Sequence, residues 1–222
     1  MATDPKQPSE KQWVTIKSTL PAIPVQLKSN ILTKRLLIRP LDASDLNVEH
    51  ILRTHPEIIK WSSRQQPNEN LGVTEKQLRK SIENEETLEL AICLRETGET
   101  IGTGGSHRRE GDLGWPVLSY TLRVEAWGKG YATEFLTAFL DHYWTLPRSS
   151  VELKVEASTV VGKNEIKQEC VTSVASEPNL ASQRVMEKSG MKLVKTWEVK
   201  DISTPEDDDT LIALFAYAVY QP

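Results

Sequence analysis

The chain has 222 residues, a formal net charge of −4 at pH 7 and an isoelectric point near 5.7. It therefore lacks the strongly basic surface that is typical of nucleic-acid binding. It has no run of about 18 apolar residues for a membrane span, and its first residues have no apolar core of a signal peptide. Cys93 and Cys170 lie in apolar runs, which argues against a disulfide scaffold or a zinc site. We expect one cytoplasmic or nuclear α/β domain without a metal, a membrane or a nucleic-acid partner.

The first hundred residues predict an arm followed by short elements. Residues 1–30 carry four prolines among polar residues, which predicts an extended or poorly ordered arm. The next elements are a strand at 36–39, a helix capped by Ser44, a helical turn that begins at Pro56, and a helix with a capping box at Thr74 and Gln77. Strands at 88–94 and 99–103 are predicted to form a hairpin around Thr97-Gly98.

Residues 115–144 predict a strand, a glycine turn and a helix. The run 117–124 is rich in β-branched and aromatic residues, as strands are. From Ala132 onwards an apolar stripe has the period of a helix. Gly128 and Gly130 let the backbone approach a ligand closely, and the free N–H groups of the first helical turn favour an anion, most often phosphate.

Two common nucleotide-binding motifs do not match this turn. A dinucleotide fingerprint needs a third glycine where this chain has Thr133, and a P-loop needs Ser or Thr after Gly128-Lys129, where Gly130 stands. The alternative is that the two glycines only form a tight turn.

A second segment has both helix ends marked. Asn179 is a good N-cap, Leu180, Val185 and Met186 are apolar positions, and Gly190 is a stop signal. Apolar runs precede and follow this segment, so we predict strand, short helix, strand, with the last strand of the chain at 211–220.

The residues 127–134 (Trp-Gly-Lys-Gly-Tyr-Ala-Thr-Glu) and 179–191 resemble the two hallmark motifs of the GNAT acetyltransferase superfamily. Residues 33–42 and 101–105 resemble the branch of ribosomal-protein N-terminal acetyltransferases. The resemblance covers about residues 30–220. It implies an α/β (α+β) fold, in which a twisted, mostly antiparallel mixed sheet of six to seven strands is flanked by helices and splayed for CoA. The predicted domain is 31–222.

The stretch 146–176 is longer than a usual helix-to-strand connection. Val151, Leu153, Val155 and Ala157 alternate as in a strand, and residues 162–165 can turn. We predict an inserted hairpin-like segment at 146–168 that pairs with a lengthened strand at 166–175. The alternative is a disordered insertion.

The resemblance implies that acetyl-CoA is the co-substrate. Its pyrophosphate would lie on the turn, and its pantetheine arm would pair with the strand backbone and contact the Asn179 helix. The implied cofactor-binding residues are Leu122, Val124, Trp127, Gly128, Lys129, Gly130, Tyr131, Ala132, Thr133, Asn179 and Ser182. A backbone N–H near Tyr120–Leu122 is predicted to hold the developing oxyanion.

The resemblance also bears on the catalytic acid and base. Many GNAT enzymes use a tyrosine seven residues after the motif asparagine as the acid, and this chain has Met186 there. Ser182 is the predicted substitute, or it is only a small packing residue. Tyr120 is the second candidate catalytic residue, although an unshifted pKa near 10 makes tyrosine a poor base, and His107 is a candidate base in a predicted loop.

Two function hypotheses follow. In the first, an N-acetyltransferase moves the acetyl group directly from the thioester to a primary amine, either a protein N-terminus or a small amine. In the second, a GNAT-like module binds acyl-CoA or a partner without turnover. We expect a monomer or a homodimer.

Overall fold

The structure is a computed structural model, and it describes residues 5–27, 29–62, 65–201 and 209–222. Its residues form two compact units, which we call the terminal unit (1–22, 108–118 and 144–222, where described) and the central unit (23–107 and 119–143, where described). Within the described residues the strands are β1 (Trp13–Pro21), β2 (Ile31–Leu32), β3 (Leu36–Pro40), β4 (Leu88–Leu94), β5 (Thr100–Arg108), β6 (Val117–Leu122), β7 (Arg148–Glu156), β8 (Cys170–Ser176), β9 (Lys192–Lys200) and β10 (Leu211–Tyr220). The α-helices are α1 (Leu46–Leu52), α2 (Pro56–Ile59), α3 (Leu71–Glu83), α4 (Tyr131–Tyr143) and α5 (Leu180–Lys188).

The sheet of the central unit follows the order β2-β3-β4-β5-β6. The pairs β2–β3, β3–β4 and β4–β5 are antiparallel. The predicted hairpin between β4 and β5 is confirmed, and Gly98 takes a positive φ of 73° in its turn. β5 runs to Arg108, so His107 lies on a strand and the predicted loop position for it is wrong.

Two predicted helix caps are wrong in detail. Asp42, and not Ser44, caps the turn before α1, because its side chain accepts a hydrogen bond from Ser44 N at 2.7 Å. Asn70 caps α3 by accepting from Val73 N at 3.1 Å. Thr74 is instead buried inside α3, where its hydroxyl contacts His50. In both cases another good capping residue lies two or more positions upstream of the predicted one.

The apolar stripe predicted on α4 is the buried side of that helix. Its five buried side chains are Phe135, Leu136, Phe139, Leu140 and Tyr143. The rings of Phe135 and Phe139 lie 5.8 Å apart, and those of Phe139 and Tyr143 lie 5.9 Å apart. Each such side chain stabilises its site by about 1.5–3 kcal/mol, so this stripe holds α4 and its first turn in place.

The terminal unit contains the sheet order β8-β10-β9, with both pairs antiparallel. The first two residues of β6 belong to this unit, and Val117 pairs in parallel with Thr172 of β8. The Thr172 N–H donates to Pro116 O at 2.8 Å. β8 therefore has partners on both of its edges.

The inserted segment is ordered, but its predicted partner is wrong. β7 pairs with β1 over nine residue pairs, from Trp13 opposite Glu156 to Pro21 opposite Arg148. Since β8 has neighbours on both edges, it offers no free edge to β7. β1 matches β7 because its alternate residues Ile16, Ser18 and Leu20 are buried. Residues 13–21 of the predicted arm are therefore a regular strand.

Buried ion pairs fix this two-stranded sheet within the terminal unit. Lys195 Nζ donates to Ser9 Oγ at 2.7 Å and to Glu10 O at 2.8 Å, and it lies 3.5 Å from Glu156. Arg148 Nε lies 2.7 Å from the buried carboxylate of Glu169. The boundary at residue 30 between arm and domain stays a prediction, and residues 1–4 and 28 lie outside the described part of the chain.

The predicted fold class is confirmed. Within the described residues, the two sheet orders given above comprise eight different strands, one or two more than predicted, and β1 and β7 form a separate two-stranded sheet. The strand pairs are mostly antiparallel, and β6 with β8 is a parallel exception. None of the helices in the described ranges has the length and apolar character that crossing a membrane requires.

Candidate functional site

The glycine turn, which we define as residues 127–133, lies in the central unit between β6 and α4. Gly128 and Gly130 have φ values of 71° and 80°, in the left-handed region that favours glycine. A short 3₁₀ turn, Val124–Ala126, precedes it. The alternation of left-handed glycines turns the chain sharply into the helix.

The first turn of α4 presents open N–H groups. Glu134 N donates to Gly130 O at 3.1 Å, which is the first hydrogen bond of the helix. Helix geometry leaves the preceding N–H groups, those of Tyr131 to Thr133, without an acceptor inside the helix. Of the residues that the structure describes, none caps these groups with a side chain. Residues 127–130 are exposed, so this helix end is open to an anion.

Three more predicted residues lie on the strand that leads into the turn or directly after it. Tyr120 is half-buried on β6, and Leu122 is buried at its end. The Leu122 carbonyl accepts a hydrogen bond from the Trp127 indole N–H at 2.8 Å. Val124 lies in the 3₁₀ turn and not in the strand, so its backbone is not aligned with β6 as the sequence predicted.

A cluster that the sequence analysis did not single out supports the turn. Arg35, in the connection from β2 to β3, binds both oxygens of the Glu134 carboxylate, through its backbone N–H at 2.8 Å and its Nε at 2.7 Å. Its Nη1 donates to Lys129 O at 2.8 Å, and its guanidinium lies 4.5 Å from the Tyr131 ring centroid. Thr33 Oγ1 donates to Glu134 Oε1 at 2.6 Å.

These contacts keep Glu134 ionised. Burial of the carboxyl raises its pKa, but the hydrogen bonds from Thr33 and from Arg35, with the guanidinium charge, outweigh burial and leave the pKa below its usual value. The Glu134 carboxylate is held by Thr33 and Arg35 of the β2–β3 connection. The signal available in the sequence was the motif at 33–42, whose Thr33 and Arg35 both contact this residue.

The predicted residues of the second motif lie in the terminal unit. Asn179 is confirmed as the N-cap of α5, and its Oδ1 accepts from Ser182 N at 3.1 Å. Ser182 is half-buried in the first turn of that helix. The structure thus brings Asn179 and Ser182 together, while Tyr120, Leu122 and the glycine turn belong to the central unit.

Three residues have core environments. Met186 is fully buried on α5, and its thioether has no proton to donate. Cys93 and Cys170 are both fully buried, as predicted. Burial and the neighbouring charge of Glu169 raise the pKa of the Cys170 thiol, which keeps it protonated and unreactive.

A mixed sheet with a left-handed glycine turn before a helix defines a class of α/β proteins that bind phosphate-bearing ligands through backbone N–H groups. The family model "Acetyltransferase (GNAT) domain" matches residues 35–192. The chain belongs to the GNAT acetyltransferase family, and the resemblance of its two hallmark motifs to this superfamily is confirmed.

Individual relatives agree with this membership. The uncharacterized N-acetyltransferase p20 of Bacillus licheniformis is 30% identical over 132 residues, which is 56% of this chain and 71% of that protein. The spermidine N-acetyltransferase of Vibrio cholerae, solved with CoA and spermine, has a TM-score of 0.61 and 15% identity over 85% of this chain and 97% of its own. A RimL ribosomal L7/L12 alpha-N-protein acetyltransferase, solved with coenzyme A, has a TM-score of 0.61 and 16% identity over the same shares. The last two likenesses concern the fold.

Proposed function

We propose that this protein is an acetyl-CoA-dependent N-acetyltransferase that transfers the acetyl group directly to a primary amine. The observation that carries the proposal is the open N-terminus of α4 behind the two left-handed glycines, in a chain of the GNAT family. Such a helix end binds a pyrophosphate without a metal.

In this proposal the turn residues Trp127 to Thr133 hold the pyrophosphate of CoA. Their backbone N–H groups and the Thr133 hydroxyl supply the donors, and the α4 dipole adds favourable charge. The pantetheine arm runs along the end of β6, near Leu122 and Val124. Asn179 and Ser182 contact the arm on its way to the thioester.

The chemistry is a single acyl transfer in a ternary complex. The amine nitrogen attacks the thioester carbonyl carbon, and the tetrahedral intermediate collapses with cleavage of the C–S bond. The amine loses a proton and the thiolate of CoA gains one. A backbone N–H of residues 120–122 stabilises the oxyanion.

Ser182 is the proposed proton donor to the thiolate. It lies in the first turn of α5, and its hydroxyl is therefore close to the motif residue Asn179. Tyr120 is the second proposed catalytic residue, on the strand that leads to the turn.

The acceptor is proposed to be a protein N-terminus or a small amine. The two relatives solved with CoA point to these same two classes, since one is a ribosomal-protein acetyltransferase and the other a spermidine acetyltransferase. Both acceptors present a primary amine to the thioester.

One observation favours a second candidate function, a non-catalytic module that binds acyl-CoA. Met186 replaces the tyrosine that many GNAT enzymes use as the acid, and it is fully buried. If no other group protonates the thiolate, binding remains and turnover is lost.

The experiment is titration calorimetry with acetyl-CoA, desulfo-CoA and ADP, followed by an assay of free thiol with a panel of amines. Micromolar binding that desulfo-CoA retains, with thiol release for at least one amine, supports the enzyme. Binding with no release for peptide N-termini or polyamines favours the module. No binding of acetyl-CoA up to millimolar concentration rejects both.

A further inference from the structure

Arg35 lies far from the glycine turn in sequence but directly beside it in the central unit. It occupies the tight connection between β2 and β3, where Thr33 N donates to Leu36 O at 3.0 Å. Its side chain is 41% exposed, so one side of the guanidinium faces solvent. The exposed side of the guanidinium is therefore accessible to a ligand.

Three of the donors of Arg35 are already engaged. The backbone N–H and Nε bind the Glu134 carboxylate, and Nη1 binds the Lys129 carbonyl. A carbonyl inside the turn and a carboxylate in the first helical turn are thereby tied to one residue. The turn is held in its open form before a ligand arrives.

One nitrogen of the guanidinium takes part in none of these contacts. Among the described residues, Nη2 has no hydrogen-bond acceptor. A Cβ built on Gly130 would lie 3.5 Å from this nitrogen. Nη2 therefore stands at the left-handed glycine whose missing side chain leaves room for a ligand, and it carries two N–H donors.

The negative charge of Glu134 lies close to the place where a ligand phosphate would bind. Its carboxylate is ionised in the first turn of α4, where a bound anion would also lie. A carboxylate and a phosphate at one helix end repel each other, and Arg35 lies against that carboxylate with a compensating charge.

We propose that Arg35 is part of the phosphate-binding site: Nη2 donates to the pyrophosphate on the glycine turn, while Nε neutralises Glu134 and Nη1 fixes Lys129 O. This inference rests on the proposed binding of acetyl-CoA at that turn. It adds a side-chain donor, delivered by the β2–β3 connection, to a site otherwise built from backbone N–H groups.

Truncation has a consequence that a purely structural role would not have. In Arg35→Ala, the Thr33 hydroxyl and the backbone N–H of residue 35 still hold the Glu134 carboxylate. The negative charge therefore stays beside the turn with no compensating cation. Replacing Glu134 by Gln in the same chain should then restore part of the lost affinity.

The test is titration calorimetry of the full chain with CoA, ADP and pantetheine. We expect Arg35→Ala to weaken CoA and ADP by about tenfold to 100-fold, the range of a charge-assisted hydrogen bond. Pantetheine, which has no pyrophosphate, should be unaffected. Arg35→Ala/Glu134→Gln should bind CoA more tightly than Arg35→Ala. The matched control is Arg79→Ala, which removes an exposed arginine paired with Glu75 at 3.2 Å in the same unit.

Thermal unfolding with circular dichroism checks that each variant folds. An Arg35→Ala protein that folds and binds CoA within threefold of the wild type overturns the inference, as does an equal loss for CoA and pantetheine. A double variant weaker than the single one also overturns it. If the wild type binds neither CoA nor ADP, the proposed function fails first, and that result is distinct from a failure confined to Arg35.

Discussion

The two helices that carry the hallmark motifs begin in opposite ways. α4 follows two left-handed glycines, and in the described residues no side chain caps its first N–H groups. α5 begins with Asn179, whose side-chain oxygen accepts a hydrogen bond from the Ser182 N–H. The N-terminus of α4 is open to an external anion, whereas that of α5 has satisfied one of its donors internally.

The difference between the two helix ends assigns ligand binding to the N-terminus of α4 and the positioning of side chains to that of α5. The free N–H groups of an open helix end find their acceptors on a ligand. Such a helix end therefore needs residues, such as glycine, that allow the left-handed backbone and leave space for the ligand. The N–H group at a capped helix end already has its acceptor in the free protein. The cap therefore stabilises the helix, which positions its other side chains. The following variants test this division, from the largest expected effect to the smallest.

Gly130→Glu should abolish binding at α4. Its carboxylate opposes the pyrophosphate and competes for Arg35, and like-charge contacts cost several kcal/mol, so we expect more than about a 1000-fold loss of acetyl-CoA affinity by calorimetry. Gly190→Glu is the matched control, because Gly190 also has a positive φ, 85°, with open space around a Cβ. It should carry the same backbone strain and bind normally. Equal losses in both variants would mean that the turn itself has no anion site.

Ser182→Ala should act on turnover. If the hydroxyl protonates the thiolate, its loss lowers kcat by about 100-fold, which steady-state thiol release measures. Ser189→Ala, at the other end of α5, is the control and should keep wild-type kcat. Wild-type turnover in Ser182→Ala would remove Ser182 as the acid.

Asn179→Ala should lower stability through the lost cap. We expect the free energy of unfolding to fall by about 1 kcal/mol in urea denaturation. Asn70→Ala removes the equivalent cap of α3, with its 3.1 Å bond to Val73 N, and should cost a similar amount. A loss of CoA affinity of about three- to tenfold that is confined to Asn179→Ala would add a cofactor contact to the cap. Unchanged affinity would leave Asn179 as a cap alone.

Glu134→Gln should have an effect no larger than that of Asn179→Ala, and that effect should depend on pH. Because the folded-state pKa of Glu134 is lowered, its ionised form stabilises the fold above the usual value of 4.5, and the stabilisation is lost as pH falls through the lowered pKa. The wild type should exceed Glu134→Gln by about 1 kcal/mol near neutral pH, and the difference should shrink in acid. Urea denaturation between pH 3 and pH 7 measures it; a difference that grows in acid contradicts the assignment.

Much of the fold was predictable because its signals are local. The period of α4, the cap and stop of α5, and the Thr97-Gly98 hairpin each depend on residues a few positions apart. The glycine turn was predictable for the same reason, since two left-handed residues and a helix start lie in one short segment.

The largest misses, the partner of β7 and the contacts of Arg35, involve distant partners. β7 pairs with β1 and not with β8, because β6 and β10 already occupy both edges of β8. The contacts of Arg35 with Glu134 and Lys129 join segments that only the folded sheet brings together. Periodicity carries no information about either, because it describes one element and not its neighbours.

The β1–β7 pairing also sets an order of events during synthesis. β1 precedes the central unit in the chain, yet its partner residues 148–156 are made only after the whole of that unit. Domains form as units while the chain grows, so we expect the central unit to assemble while β1 waits as an unpaired strand. An unpaired strand edge is a template for aggregation, and Lys17, exposed in its middle, places a charge where another strand would add. We therefore expect Lys17 to protect β1 until its later partner β7 has been made.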